Sequence, residues 1–234
     1  CIEGPEDVMV AAQLAAALEL SGWPKPGNVH RMADLGPKTY ERFLAGSIAI
    51  GPTALEAARR GLLAGKGELE LADVRLGSLI ERAARDDARW QVSGTTHMGY
   101  IMLCVPLSVA AGLALGEGRE LSIEVLRASV SRLLQASTVR DAADLYRALR
   151  AAASTKLGRL RSEAGLPDVF DPEAEETLAR RGLTLLEVLR ISSKWDLIAR
   201  ELASSLELCV NVGLPALRGN LDRYGSLNVA VVNT

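Results

Sequence analysis

Along most of the chain, apolar residues recur at three- and four-residue intervals, the spacing that gathers them on one face of an α-helix. Val8, Ala11, Leu14 and Leu18 mark a first face, closed by the Ser21-Gly22 break. Tyr40, Phe43, Leu44, Ser47 and Ile48 mark a second, interrupted at Gly51-Pro52 and resumed through Leu55, Ala58 and Leu62 until Gly65-Lys66-Gly67 ends it. A third is predicted from about Asp73 to Trp90, with Leu76, Leu79, Ile80 and Ala83 inward. From Met98 to Leu115 no charge appears. That run is long enough to cross a membrane, but Gly99, Pro106, Ser108 and Gly112 punctuate it and no second span accompanies it. We read it as a helix buried on all sides. Leu126, Val130, Leu133 and Leu134 define a fifth helix, and Thr138 with Asp141 forms a capping box for a sixth carrying Leu145 and Leu149. Asp171-Pro172-Glu173 is a start signal and Arg180-Arg181-Gly182 a matching stop. Thr184 with Glu187 opens a predicted final long helix running to about Leu206.

Composition agrees with this pattern. Apolar residues make up 48% but aromatics only 4%, and a Leu/Ala-rich mixture favours helix over pleated sheet. The expectation is an all-α fold: one compact multi-helix domain over residues 1–234, built around a buried apolar central helix. A net charge of −2 with both signs interspersed provides no broad field for nucleic acid and no basic amphipathic stretch for a membrane surface. Any anion site must be local. Cys1, Cys104 and Cys209 are odd in number and far apart, so neither a disulfide framework nor a zinc site is indicated, and a reducing, cytoplasmic setting is expected. The N-terminus opens with Glu3, Glu6 and Asp7 instead of a signal peptide. A start without Met and an end inside the apolar run Val231–Thr234 suggest a trimmed chain. The small-residue face at Ala110-Ala111-Gly112 permits close packing within the domain or across a homodimer.

Candidate chemistry concentrates in two breaks between helices, which hold the two histidines of the chain. In the first, Pro24 and Pro26 stiffen the backbone, Gly27 lets it turn, and Lys25, Asn28, His30 and Arg31 are displayed. A rigid turn carrying cations suits a phosphate ester, because little ordering entropy remains to be lost on binding; an ordinary helical connection with solvated charges would have the same composition. In the second break, Thr95, Thr96 and His97 precede the apolar helix. Backbone N–H groups at a helix N-terminus, helped by two hydroxyls, make an anion site, and His97 is placed to donate to phosphate or to transfer a proton. The alternative is a helix cap with an incidental histidine.

Pro24-Lys25-Pro26-Gly27-Asn28-Val29, followed some seventy residues later by Thr96-His97-Met98-Gly99 opening an apolar helix, resembles the triphosphoribosyl-dephospho-coenzyme A synthase family. The intervening Phe43-Leu44-Ala45-Gly46-Ser47 fits as well. Arg161-Ser162-Glu163-Ala164-Gly165-Leu166-Pro167 is similar to that family's Arg-Gly-Glu-containing loop, and Asp196 falls where the family carries a late aspartate. The resemblance runs from about Ala12 to Leu202. It implies an all-α enzyme that moves the ribose triphosphate of ATP to the 2′-hydroxyl of 3′-dephospho-coenzyme A and releases adenine. Displacement at an anomeric carbon calls for clamping of the triphosphate with Mg²⁺, a carboxylate near the developing positive charge, and a base for the attacking hydroxyl. Carried over, Lys25, Gly27, Asn28, His30, Arg31, Thr95, Thr96 and Arg161 would bind phosphate or ribose. His97, Glu163 and Asp196 would be catalytic, with Glu163 and Asp196 also the metal ligands. Glu163 reads equally as a solvated loop charge, and Asp196 as a helix-face residue paired with Lys194 or Arg200.

Two departures stand out. Met98 replaces the lysine of the family's Thr-His-Lys-Gly, which removes one cation from the expected polyphosphate site. The glycine-rich acidic segment expected after the late aspartate is replaced by Leu197-Ile198-Ala199-Arg200-Glu201. These changes resemble a divergent, archaeal-type branch whose acceptor need not be dephospho-coenzyme A. A related nucleotide or phosphoribosyl transferase or hydrolase, and a non-catalytic helical nucleotide-binding protein, are the other readings.

Overall fold

A computed structural model of the protein describes residues 2–91, 94–152 and 165–234. Among these residues the helical pattern resolves into twelve α-helices: α1 (Pro5–Ser21), α2 (Tyr40–Ala49), α3 (Gly51–Gly65), α4 (Leu76–Ala88), α5 (Met98–Gly116), α6 (Ile123–Gln135), α7 (Val139–Ala152), α8 (Ala174–Arg181), α9 (Leu185–Ser192), α10 (Leu197–Ala203), α11 (Leu214–Tyr224) and α12 (Leu227–Val232). The extended pairing they contain is two isolated bridges in the loop before α2, His30 with Ala33 and Leu35 with Lys38.

Local chemistry sets most boundaries. Pro52 near the start of α3 lacks the N–H that would continue the ladder of α2, so the two helices meet at Ile50. Thr138 and Asp141 exchange the bonds of a capping box: Asp141 Oδ2 accepts from Thr138 N at 2.8 Å, and Thr138 Oγ1 from Asp141 N at 3.2 Å. Gly182, with φ +64°, closes α8 in the left-handed conformation that glycine adopts without strain. Two expectations need correction. The third helix begins later than Asp73, because Leu71–Val74 form a 3₁₀ turn and Arg75 is left-handed at φ 57°. The long helix from Thr184 to Leu206 is two helices, since Asp196 turns its carboxylate onto Ala199 N at 2.7 Å and starts α10 afresh.

The uncharged helix α5 lies in the core, not in a membrane: most of it, from Ile101 to Ala114, is buried by its neighbours. Its closest partner is α3. Here small residues let the two backbones touch. A Cβ on Gly61 would stand 2.1 Å from Val109 O and one on Gly65 2.2 Å from Leu113 O; reciprocally, one on Gly112 would stand 1.9 Å from Ala58 O. The small-residue face of α5 is therefore spent inside the protein. On the other side of the core, α4 and α7 run alongside each other. Gly77 N donates to Asp141 Oδ1 at 2.9 Å near their starts, and Arg147 Nε to Glu81 Oε2 at 3.1 Å further along. Their C-terminal ends reach the same end of the molecule as the start of α5.

Candidate functional site

Asp87, on the last turn of α4, has no exposed surface. A carboxylate survives in such a place only if donors surround it. Its Oδ2 accepts from Thr96 N at 2.9 Å and His97 N at 3.4 Å, and from the Thr95 hydroxyl. Its Oδ1 faces His97 Nδ1 at 3.2 Å and Gln91 Nε2 at 3.5 Å. The chain between α4 and α5 thus closes around one buried carboxylate, and α5 starts where that wrapping ends.

His97 is 8% exposed and fixed on all sides. Besides Asp87, Nδ1 meets Thr96 Oγ1 at 3.0 Å, and Nε2 meets Ser47 Oγ at 3.3 Å. Phe43 stands edge-on to the imidazole with ring centroids 5.4 Å apart, and Tyr100 at 6.4 Å. The glycine between Phe43 and Ser47 on α2 makes room for this: a Cβ on Gly46 would lie 2.0 Å from Asp87 Oδ1 and 2.8 Å from His97 Nδ1. Ser47 Oγ also lies 3.0 Å from Phe43 O. Rotation of that one hydroxyl lets Ser47 donate to a neutral Nε2, or accept from a protonated Nε2 while donating to the Phe43 carbonyl. With Asp87 beside Nδ1, the imidazole is held in one place in either protonation state, which is what a proton acceptor needs. Beneath it, Tyr100 donates to Ala12 O at 2.5 Å, and burial pushes its phenol well above the usual range.

The first break lies at the other end of α2. Tyr40, the first residue of that helix, receives a bond from or gives one to Ser21 Oγ at 3.0 Å, and its N–H donates to Asp34 Oδ1 at 2.8 Å. One turn further on comes Phe43, against His97. The two histidine-bearing breaks are linked through α2. Within the first, Gly27 adopts φ +79°. Lys25 is folded back, its Nζ 2.7 Å from both Glu19 O and Glu19 Oε1. Arg31 lies over the Trp23 ring, 6.0 Å from its centroid. Asn28 Oδ1 accepts from Val29 N at 2.8 Å. His30 is 7% exposed, and its Nδ1 accepts from Met32 N at 3.2 Å.

The structure thus gathers Thr95, Thr96 and His97 into one cluster and places Lys25, Gly27, Asn28, His30 and Arg31 in a second, ordered turn. Asp196 caps α10, whose first turn packs on the start of α5: a Cβ on Gly99 would stand 3.6 Å from the Ile198 side chain. Arg161 and Glu163 lie outside the described residues. Sequence reading missed Asp87, Ser47 as a partner of His97, and Asp86, whose Oδ2 accepts from Thr53 Oγ1 at 3.0 Å. The Asp86-Asp87 pair at the end of an otherwise well-patterned helix was the available signal, since a charge that falls on the apolar face of a helix must be partnered.

Among the described residues the protein is a helical bundle with a buried aspartate-histidine pair at the start of α5 and an ordered, cation-bearing turn one helix away. A family model described as CitG, ATP:dephospho-CoA triphosphoribosyl transferase, matches residues 5–234. The chain belongs to this family. Among solved structures, the Archaeoglobus fulgidus protein assigned as a triphosphoribosyl-dephospho-coA synthase shares its fold, with a TM-score of 0.52 at 22% identity. That match covers 76% of this chain and 62% of the archaeal one, so the shared part is under two thirds of the relative's length. No curated protein sequence matches the chain.

Proposed function

We propose that the protein is a transferase that joins the triphosphoribosyl group of ATP to the 2′-hydroxyl of 3′-dephospho-coenzyme A. The observation that carries this reading within the family is the Asp87–His97–Ser47 arrangement at the start of α5. The acceptor hydroxyl attacks C1′ of the ATP ribose, a C1′–O bond forms, and the C1′–N bond to adenine breaks. One proton leaves the hydroxyl and one is needed on the departing base. His97, backed by the Asp87 carboxylate, receives the first and returns it as the second, so that charge and atoms balance. The first turn, through Arg31 and the backbone around Gly27 and Asn28, contributes to the substrate wall opposite Thr95 and Thr96. Arg161 and Glu163 enter this reading from the sequence resemblance alone.

For the Mg²⁺ that the resemblance implies, no three His, Cys, Asp or Glu side chains converge among the described residues; of the two carboxylates the resemblance offers it, Asp196 uses Oδ1 as a helix cap and Glu163 lies outside the described residues. No step is therefore routed through a protein-held metal, and Mg²⁺ enters as the counter-ion of the nucleotide. A cytoplasmic setting, where both substrates are found, goes with this reading.

Incubation of the full chain with ATP, Mg²⁺ and dephospho-coenzyme A is expected to release free adenine and yield an acceptor heavier by one triphosphoribosyl group, seen by mass spectrometry. Absence of adenine with every substrate present would overturn the assignment. Adenine release that requires a different acceptor would move the protein to the related-transferase reading, which Met98 in place of the family's lysine favours.

A further inference from the structure

The donors that the two breaks offer to an anion are largely engaged within the chain: Lys25 by Glu19, and Thr95, Thr96 and His97 by Asp87. Less committed positive charge lies along α4. Arg82, Arg85 and Arg89 stand at i, i+3 and i+7 on one face of that helix. With Asp86, Ala88 and Ala151 they line an open groove of about 550 Å³. The Arg82 and Arg85 side chains are more than half exposed. Arg85 shares Glu81 with Arg147, and Arg82 approaches Asp86 only to 3.8 Å. Among the described residues Arg89 has no carboxylate within ion-pair distance. Arg85 and Arg82 are thus each shared with a carboxylate of α4 itself, Arg89 is not, and Arg85 and Arg89 flank Asp87 in sequence at the end of the helix nearest the site.

Planar guanidinium groups bind phosphate through paired N–H donors. At 1.5 Å per residue, Arg82 and Arg89 are separated by roughly 10 Å along the helix. That length suits a chain of linked phosphates better than a single one. We propose that the α4 groove is an anion subsite for the oligophosphate part of a nucleotide substrate. Its ligand identity rests on the reaction read above, in which two substrates carrying linked phosphates meet: the triphosphate of ATP and the diphosphate bridge of the acceptor. One cationic turn does not serve both, and the groove supplies the second place.

The test is calorimetric titration of the full chain with inorganic triphosphate, then with ATP and with dephospho-coenzyme A separately, for the wild type, an Arg85→Ala/Arg89→Ala double variant and an Arg59→Ala control. Arg59 pairs with Glu6 on the exposed outer side of α1 and α3. The double variant is expected to bind triphosphate at least about tenfold more weakly, since each charge-assisted contact to phosphate is worth that much or more, while the control binds as wild type does. Circular dichroism of the variant, whose altered side chains are exposed, is expected to be unchanged. Weakening confined to ATP assigns the groove to the triphosphate; weakening confined to dephospho-coenzyme A assigns it to the diphosphate bridge. Wild-type protein that fails to bind triphosphate, or a double variant that binds all three like wild type, would overturn the subsite. The two proposals fail separately: triphosphate binding lost in the double variant without any adenine release from wild type retains the groove and rejects the reaction, and the converse rejects only the groove.

Discussion

Asp87 gathers donors from the chain that follows it and passes that order on to His97. Removing it would strand several buried N–H and O–H groups at once, and each such group left unsatisfied costs about 1–3 kcal/mol. Asp87→Ala is therefore expected to destabilise the fold by about 3 kcal/mol or more, read as a lowered denaturant midpoint with an unchanged slope. Asp87→Asn keeps the size and part of the accepting capacity, so it should cost less stability while still impairing turnover, because a neutral amide no longer supports a protonated His97. Equal loss of stability in both variants would mean that the carboxylate charge, and not merely an accepting oxygen in that place, holds the loop.

Elements fix these residues through their ends and their small faces. Asp196 offers a sharp separation of roles. Asn caps a helix about as well as Asp, whereas Ala loses about 0.5–2 kcal/mol. Asp196→Ala is expected to lower the melting temperature and Asp196→Asn to preserve it; loss of adenine release in the stable Asn variant would assign Asp196 a catalytic role beyond the cap. At the α3–α5 contact, Gly112→Ala forces a methyl group onto the Ala58 carbonyl. Overpacking of this kind typically costs 1–3 kcal/mol, and a larger loss is expected here because the obstacle is backbone, measured by chemical denaturation. How legible these elements were depends on the range of their signals. The α2–α3 junction, the Thr138 box and the Gly182 stop are local, and could be read directly. The break before α10 was hidden because Leu197, Ile198 and Leu202 continue the apolar spacing of α9, and only the carboxylate turned onto Ala199 N ends it. The site was half visible: Thr95, Thr96 and His97 announced themselves as polar residues before an apolar helix. Ser47 and the carboxylate of Asp87 did not, since their importance comes from contacts across fifty and ten residues that no periodicity encodes.

At the scale of the whole molecule, the C-terminal part differs from the rest. None of the residues of α11 is buried, and its principal contacts are with the short π-helical turn Cys209–Gly213 before it and with α12. What returns the chain to the body is α12: Asn228 exchanges two bonds with the Trp23 backbone, accepting from its N–H at 2.9 Å and donating to its carbonyl at 2.6 Å, and Ala230 is fully buried. Stretches with little buried surface open at low free energy. Amide hydrogen exchange is expected to be fastest in α11 and slowest in α3 and α5, and Asn228→Ala should speed exchange in α12 without affecting α5. Protection of α11 equal to that of α5 would contradict this division.

The cluster that joins α2, α4 and α5 through Ser47, Asp87 and His97 also has a consequence in time. Individual helices can form from local contacts, which are fast, but the Asp87 cluster closes only after residue 47 has met residue 97. Refolding from denaturant is therefore expected to restore far-ultraviolet helicity first and adenine release afterwards, with the lag abolished by no change in α11 or α12. The protein would be helical before its candidate site is built.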